Sequence, residues 1–199
     1  MMLVVFLGFL PSPGQAALVS TFDSDTEGWT AINDYKDFMW VASGGQSGGY
    51  IQATDKSLGA TWYFVSPDSW DGDWRAYEGG KLDYYIKLIS YSGSFFTAAD
   101  VKIIGSAGTV GKKFITSKPG DWTHYEVPLT HTFFEVDQST FQNVLADVTA
   151  LHIRGEYISG SDTEGLDTVS VTPIPLPAGI WFLGTGLVGL WVSRRKTIL

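Results

Sequence analysis

Three groups of residues in this 199-residue chain have the types and spacing to do chemistry. The first is "FDSDTEGW" near the start. In an extended segment Asp23 and Asp25 point to the same side, and carboxylate oxygens are the ligands that hard cations such as calcium take. A solvated acidic turn is the plain alternative. The second is "PDSWDGDWRAY", where Trp70, Trp74 and Tyr77 share a loop with Asp68, Asp71 and Asp73. Aromatic rings stack on the apolar faces of pyranoses, and neighbouring carboxylates accept from sugar hydroxyls. Trp70, Trp74 and Tyr77 are therefore the candidate ligand contacts. The three aspartates resemble a calcium loop only loosely and lack the twelve-residue spacing of an EF-hand. The third is the histidines. His124, His131 and His152 stand alone, without the paired spacing of a zinc site or a nucleophile motif. A glycosidase needs two carboxylates facing each other about 5 to 10 Å apart, and spacing along the chain does not reveal such a pair. No catalytic residue is assigned, and the expectation is a protein that is not an enzyme.

The elements that must position these residues are strands. The chain has 23 Gly, 8 Trp, 9 Tyr and 12 Phe and no Cys. Glycine turns between aromatic and β-branched runs point to an all-β sandwich or barrel. The absence of cysteine excludes a disulfide frame and thiolate chemistry. Strand-like runs include "ALVSTF", "YIQAT", "ATWYFVS", "KLDYYIKLIS", "DVKIIGS", "KKFITS", "WTHYEVPL", "ALHIRGEY" and "LDTVSVT". They are separated by "SGGQSGG", "SPDSWDGDW", "SAGTVG" and "SKPGD", as in an antiparallel sandwich. In "KLDYYIKL", Leu82, Tyr84, Ile86 and Leu88 face one side and Asp83, Tyr85 and Lys87 the other. One helix is expected in "STFQNVLADVTAL", with Phe141, Val144, Leu145 and Val148 on one face and Ser139 as N-cap. Trp29, Trp62 and Trp122 are expected in the core, with Trp40 undecided. All 21 acidic residues fall between Asp23 and Asp167, and this segment carries a net charge of −11. Such a surface repels nucleic acid and anionic headgroups.

The two ends read as addresses. "MMLVVFLGFLPSPGQAALVS" has an apolar core from Leu3 to Leu10, then prolines and small residues, which predicts a signal peptide over 1–17 cleaved after Ala16 or Ala17. It lacks a basic n-region. Ile174 to Val192 is uncharged and long enough to cross a bilayer as a helix. Arg194, Arg195 and Lys196 follow it and would stay cytoplasmic. The segment 18–172 then faces outwards.

Two resemblances sharpen this. Pro173, Pro175, Leu176, Pro177 and Ala178, the helix "GIWFLGTGLVGLWV" and the pair Arg194-Arg195 resemble a PEP-CTERM sorting signal in a Pro-Leu-Pro-Ala variant. The resemblance implies transient inner-membrane insertion, processing by an exosortase-type transpeptidase in a Gram-negative bacterium, and delivery to the cell surface or extracellular matrix. "FDSDTEGWT", "FVSPDSWDGDWRAYEGGKLDYYIKL" and "LHIRGEYISGSDTEGLDTVSV" resemble a laminin B (laminin IV type A) domain, a relative of galactose-binding jelly rolls and carbohydrate-binding modules. This implies a jelly-roll β-sandwich over 18–172. It also implies a structural calcium where first and last strands meet, at Asp23, Asp25 and Asp167. Laminin B domains often carry Asn after the closing Asp, where this chain has Thr168. The combined expectation is an exported, exosortase-sorted protein that binds or organises extracellular polysaccharide or matrix. The alternatives are a purely structural surface protein and a polysaccharide-acting enzyme.

Overall fold

A computed structural model describes residues 15–174. The compact unit runs over Gln15–Pro173. The expected signal-peptide core, transmembrane helix and sorting motif beyond Ile174 lie outside the described residues. Among the described residues, no helix is long and apolar enough to cross a membrane.

Among the described residues, eleven strands and two α-helices follow in order: β1 (Leu18–Ser20), β2 (Thr30–Ile32), β3 (Tyr35–Val41), β4 (Tyr50–Asp55), β5 (Tyr63–Val65), β6 (Lys81–Ser92), β7 (Val101–Gly105), β8 (Gly108–Lys112), β9 (Thr123–Pro128), α1 (His131–Phe134), α2 (Gln138–Leu145), β10 (Val148–Arg154) and β11 (Ser161–Thr172). The larger sheet has the order β3-β4-β11-β6-β9 with β1 added to β11, and the smaller has β2-β5-β10-β7-β8. Every pairing is antiparallel.

The fold follows from two-residue alternation. On β6, Leu82, Tyr84 and Ile86 are fully buried while Asp83, Tyr85 and Lys87 stay partly exposed. Ile51 and Ala53 on β4, Leu166 on β11 and Val127 on β9 complete the inner side of the larger sheet. Phe64, Ile103, Leu151 and Ile153 oppose them from the smaller sheet, with Trp29 and Trp62 filling the core between. Burying a residue of this size contributes about 1.5 to 3 kcal/mol. Phe141, Val144 and Leu145 bury the inner side of α2.

Several local expectations are corrected. The α2 N-cap is Asp137, whose carboxylate accepts from Thr140 N at 2.8 Å, and Ser139 bonds that same carboxylate. Val148 opens β10 rather than extending the helix. "SAGTVG" supplies most of β8 instead of a turn, and "KKFITS" is loop after Lys112. There Asp100 Oδ2 accepts from Phe114 N at 2.6 Å and Ile115 N at 2.8 Å, so a carboxylate replaces a strand partner.

Candidate ligand-binding surfaces

Four places concentrate chemistry, and two of them contain the site residues singled out from the sequence. The loop holding Trp70, Trp74 and Tyr77 folds into two short 3-10 turns, Asp68–Trp70 and Arg75–Tyr77, that rotate the rings inward. Trp70 is 5%, Trp74 2% and Tyr77 1% exposed. Trp74 Nε1 donates to Trp70 O at 2.7 Å, Trp70 meets Trp29 edge-on, and Tyr77 Oη donates to Ala16 O. These rings offer no open face to a sugar, so the expected ligand contacts are packing residues. Asp73 does not join a cation loop either. It holds Arg75 through Nε at 2.9 Å and Nη2 at 2.6 Å, which lowers its pKa to about 2.

The expected calcium ligands are distributed around a glycine loop. Asp167 lies within β11, just before its register shift, and is fully buried, accepting from Ser47 N at 3.1 Å. A β-carbon at Gly45 would stand 2.7 Å from Asp167 Oδ2, and one at Gly48 would stand 2.9 Å from Asp23 Oδ1. The loop therefore needs glycine to pass between the two carboxylates. Asp25 turns away and accepts from Glu27 N at 2.6 Å. Glu27 in turn accepts from Thr21 N and Phe22 N. The structure thus brings Asp23 and Asp167 to one loop and leaves Asp25 outside it. Among the described residues, no three His, Asp or Glu side chains are gathered as a metal would hold them.

The outer side of the larger sheet carries a strip of rings and polar groups. Gly165 on β11 lies opposite Gln52 on one neighbour and Lys87 on the other. A β-carbon there would come 2.9 Å from Trp122 Cη2 and 3.0 Å from Tyr50 Cδ2. The missing side chain lets both rings lie over the sheet, edge-to-face at 5.2 Å. Trp122 is partly exposed rather than core, contrary to expectation, and its Nε1 donates to Gly44 O at 2.9 Å. Lys87 Nζ stands 5.8 Å from the Trp122 ring centre. Beyond them Tyr85 faces His124 at 4.8 Å, and His124 Nε2 lies 3.0 Å from Asp83. Trp40, the undecided tryptophan, is half-buried and donates to Phe22 O at 2.7 Å.

The remaining place was not foreseen. At one end of the sandwich a cleft of about 250 Å³ is lined by Asp55, Ser57, Thr61, Phe96, Glu156 and Ser159, among others. Asp55 is 1%, Glu156 7%, Asp162 1% and Glu164 0% exposed. Asp55 Oδ1, Asp162 Oδ1 and both oxygens of Glu164 receive no hydrogen bond from any N–H or hydroxyl. Burial raises the pKa of Glu164 well above normal, and the neighbouring Asp162 and Glu156 charges add to this. Burial raises the pKa of Asp162 as well. Burial, followed by the Asp55 charge, lifts Glu156 to about 7. Arg154 is buried nearby but donates to Asp100 at 3.2 Å, Phe96 O at 2.7 Å and Glu156 O. A sequence signal existed. Asp162 and Glu164 share two-residue spacing with buried Leu166, so all three point inwards.

These features define an all-β sandwich of two antiparallel sheets. Residues 63–173 match the family described as Laminin B (Domain IV), which is over half the chain, and the chain belongs to that family. Its fold resembles the L4b domain of human laminin alpha-2, at 15% identity and a TM-score of 0.51, covering 67% of this chain and 96% of that one. It also resembles the C-terminal family 22 carbohydrate binding module of Clostridium thermocellum Xyn10B, at 10% identity and a TM-score of 0.51, covering 80% and 94%. A third likeness is a family 11 carbohydrate-binding module from Clostridium thermocellum in complex with a β-1,3-1,4-mixed-linked tetrasaccharide, at 15% identity and a TM-score of 0.50, covering 79% and 95%. No curated protein matches the sequence.

Proposed function

We propose that this chain is an exported, non-catalytic surface module that binds extracellular polysaccharide or matrix through the outer side of its larger sheet. The carrying observation is the Tyr50–Trp122 pair laid over Gly165, flanked by Gln52, Lys87 and Tyr85. Partly exposed rings supply apolar area, and the adjoining amide, ammonium and phenol supply hydrogen bonds, which is the mixture a sugar chain needs. The family and its carbohydrate-binding-module neighbours support the reading. Calcium at Asp23 and Asp167, completed by loop carbonyls, is part of the proposal. It would supply two positive charges beside two carboxylates that border the same glycine loop. The sorting tail would deliver the module to the surface through an exosortase.

The test is a glycan array followed by calorimetry on the best-binding oligosaccharide. Trp122→Ala and Tyr50→Ala should each weaken binding at least ten-fold while leaving the protein folded. An empty array leaves the structural reading, a surface protein without a ligand. One observation favours an enzyme as the second reading. Asp55 and Glu156 line one cleft, and Glu156 is held near the pKa of a working general acid. Shorter products released from a bound oligosaccharide, and lost in Glu156→Gln, would decide for that reading.

A further inference from the structure

We propose that the cleft at the end of the sandwich is a second saccharide subsite, specific for a protonated amino sugar, with Asp55 and Glu156 as the groups that receive its ammonium. This rests on the polysaccharide reading and adds a charged specificity that the outer side of the larger sheet lacks.

One buried carboxylate oxygen of a residue that lines the cleft, Asp55 Oδ1, has no donor, and the unpaired oxygens of Asp162 and Glu164 lie behind the wall. Leaving such an atom unpaired is costly, so a ligand that completes it must bring donors. Among the described residues, no Lys, Arg or His forms an ion pair with Asp55, Glu156, Asp162 or Glu164. Arg154, the one buried cation nearby, directs its hydrogen bonds to Asp100 and to backbone carbonyls. The ligand must therefore also bring positive charge. An ammonium does both, since it has three donors and no acceptor. A bare metal ion fits less well, because no three carboxylates here are gathered as metal ligands.

The walls point to a sugar as the carrier of that charge. Ser57, Thr61 and Ser159 offer hydroxyls, and Phe96 offers a ring. Asp55 keeps one oxygen on Ser57 Oγ at 3.0 Å and leaves the other free, and Glu156 keeps one on Trp62 N at 3.2 Å. Both acids are thus held in place with an oxygen to spare. A cleft of about 250 Å³ is smaller than the roughly 300 to 1,000 Å³ that drug-sized ligands occupy. It suits a chain end rather than a run of residues. The net charge of −11 on the acidic segment attracts a cationic polysaccharide and repels an anionic one.

The experiment is isothermal calorimetry on the purified full chain with a glucosamine tetrasaccharide and its fully N-acetylated counterpart, both at pH 7, where Glu156 can give up its proton to receive the ammonium. The charged sugar should bind at least ten-fold tighter. Glu156→Gln, which keeps the shape, and Ser159→Tyr, which fills the cleft from an exposed position, should each abolish that preference. Asp73→Asn removes the same charge at a distant surface site and should keep it. Equal affinity for the two sugars overturns the proposal, as does a preference that survives both cleft variants. Calcium binding that is lost in Glu156→Gln and blocks the amino sugar would make this a metal site and also overturns it. Binding of neutral glycans lost in Trp122→Ala would still support the polysaccharide reading, so the two can fail separately.

Discussion

Thr168 occupies a backbone position made for another residue. Its φ is +48°, in the left-handed region, at the irregularity where β11 shifts register between Asp167 and Ser170. A β-branched residue is a genuine outlier there, while Asn visits that region more readily. Laminin B domains, which this chain resembles, often carry Asn at this place after the closing Asp. The structure gives the difference a backbone meaning. Thr168→Asn should stabilise the fold by about 1 kcal/mol, the lower end of the cost of a left-handed residue. The gain is reduced by loss of the Thr168 Oγ1 bond to Asp167 at 3.2 Å. A domain of this size should then melt about 2 to 4 °C higher. A lower melting temperature would mean that this hydroxyl matters more than the strain.

At the scale of elements, the two short 3-10 turns decide what Trp70 and Trp74 do. An aromatic residue in a Gly- and Asp-rich loop reads the same in sequence whether its ring points out or in. The direction depends on turns that no periodicity announces. Trp74→Ala should destabilise by about 3 to 5 kcal/mol, as loss of a buried large ring does. The protein that remains folded should keep its affinity for glycans. A calorimetric titration showing normal stability and lost binding would return Trp74 to the ligand surface. Alternation made most of the larger sheet legible, because β4, β6 and β9 obey it. The run β3 was missed, since Asp37 at φ +53° interrupts its pairing between Lys36 and Met39. β2 was missed because it has only three residues, and β8 because its glycines read as a turn. The acidic cluster at the cleft brings Asp55 from β4 to Glu156, Asp162 and Glu164, a distant part of the chain. Only the inward parity of the last two was visible beforehand.

At the scale of the whole molecule, the acidic sandwich, the glycine loop beside Asp23 and Asp167 and the two proposed terminal addresses meet in one expectation about the mature protein. Two carboxylates drawn from opposite ends of the folded segment meet one glycine loop beside the register shift of β11. A cation held between them would tie those ends together, and a ligand that binds only the folded state must stabilise it. The terminal segments, if they are addresses, should be absent from the working protein. Both consequences are read by native mass spectrometry of the protein purified from its own cells. The expected species begins at Ala17 or Leu18, ends near Ala178 and carries one calcium ion. Removing that ion with a chelator should lower the melting temperature by several degrees, and Asp167→Asn should bind none. A mass that includes the tail through Leu199 would replace sorting by a permanent membrane anchor. A calcium-free mass with a chelator-indifferent melt would leave Asp23 and Asp167 as fasteners of the glycine loop alone.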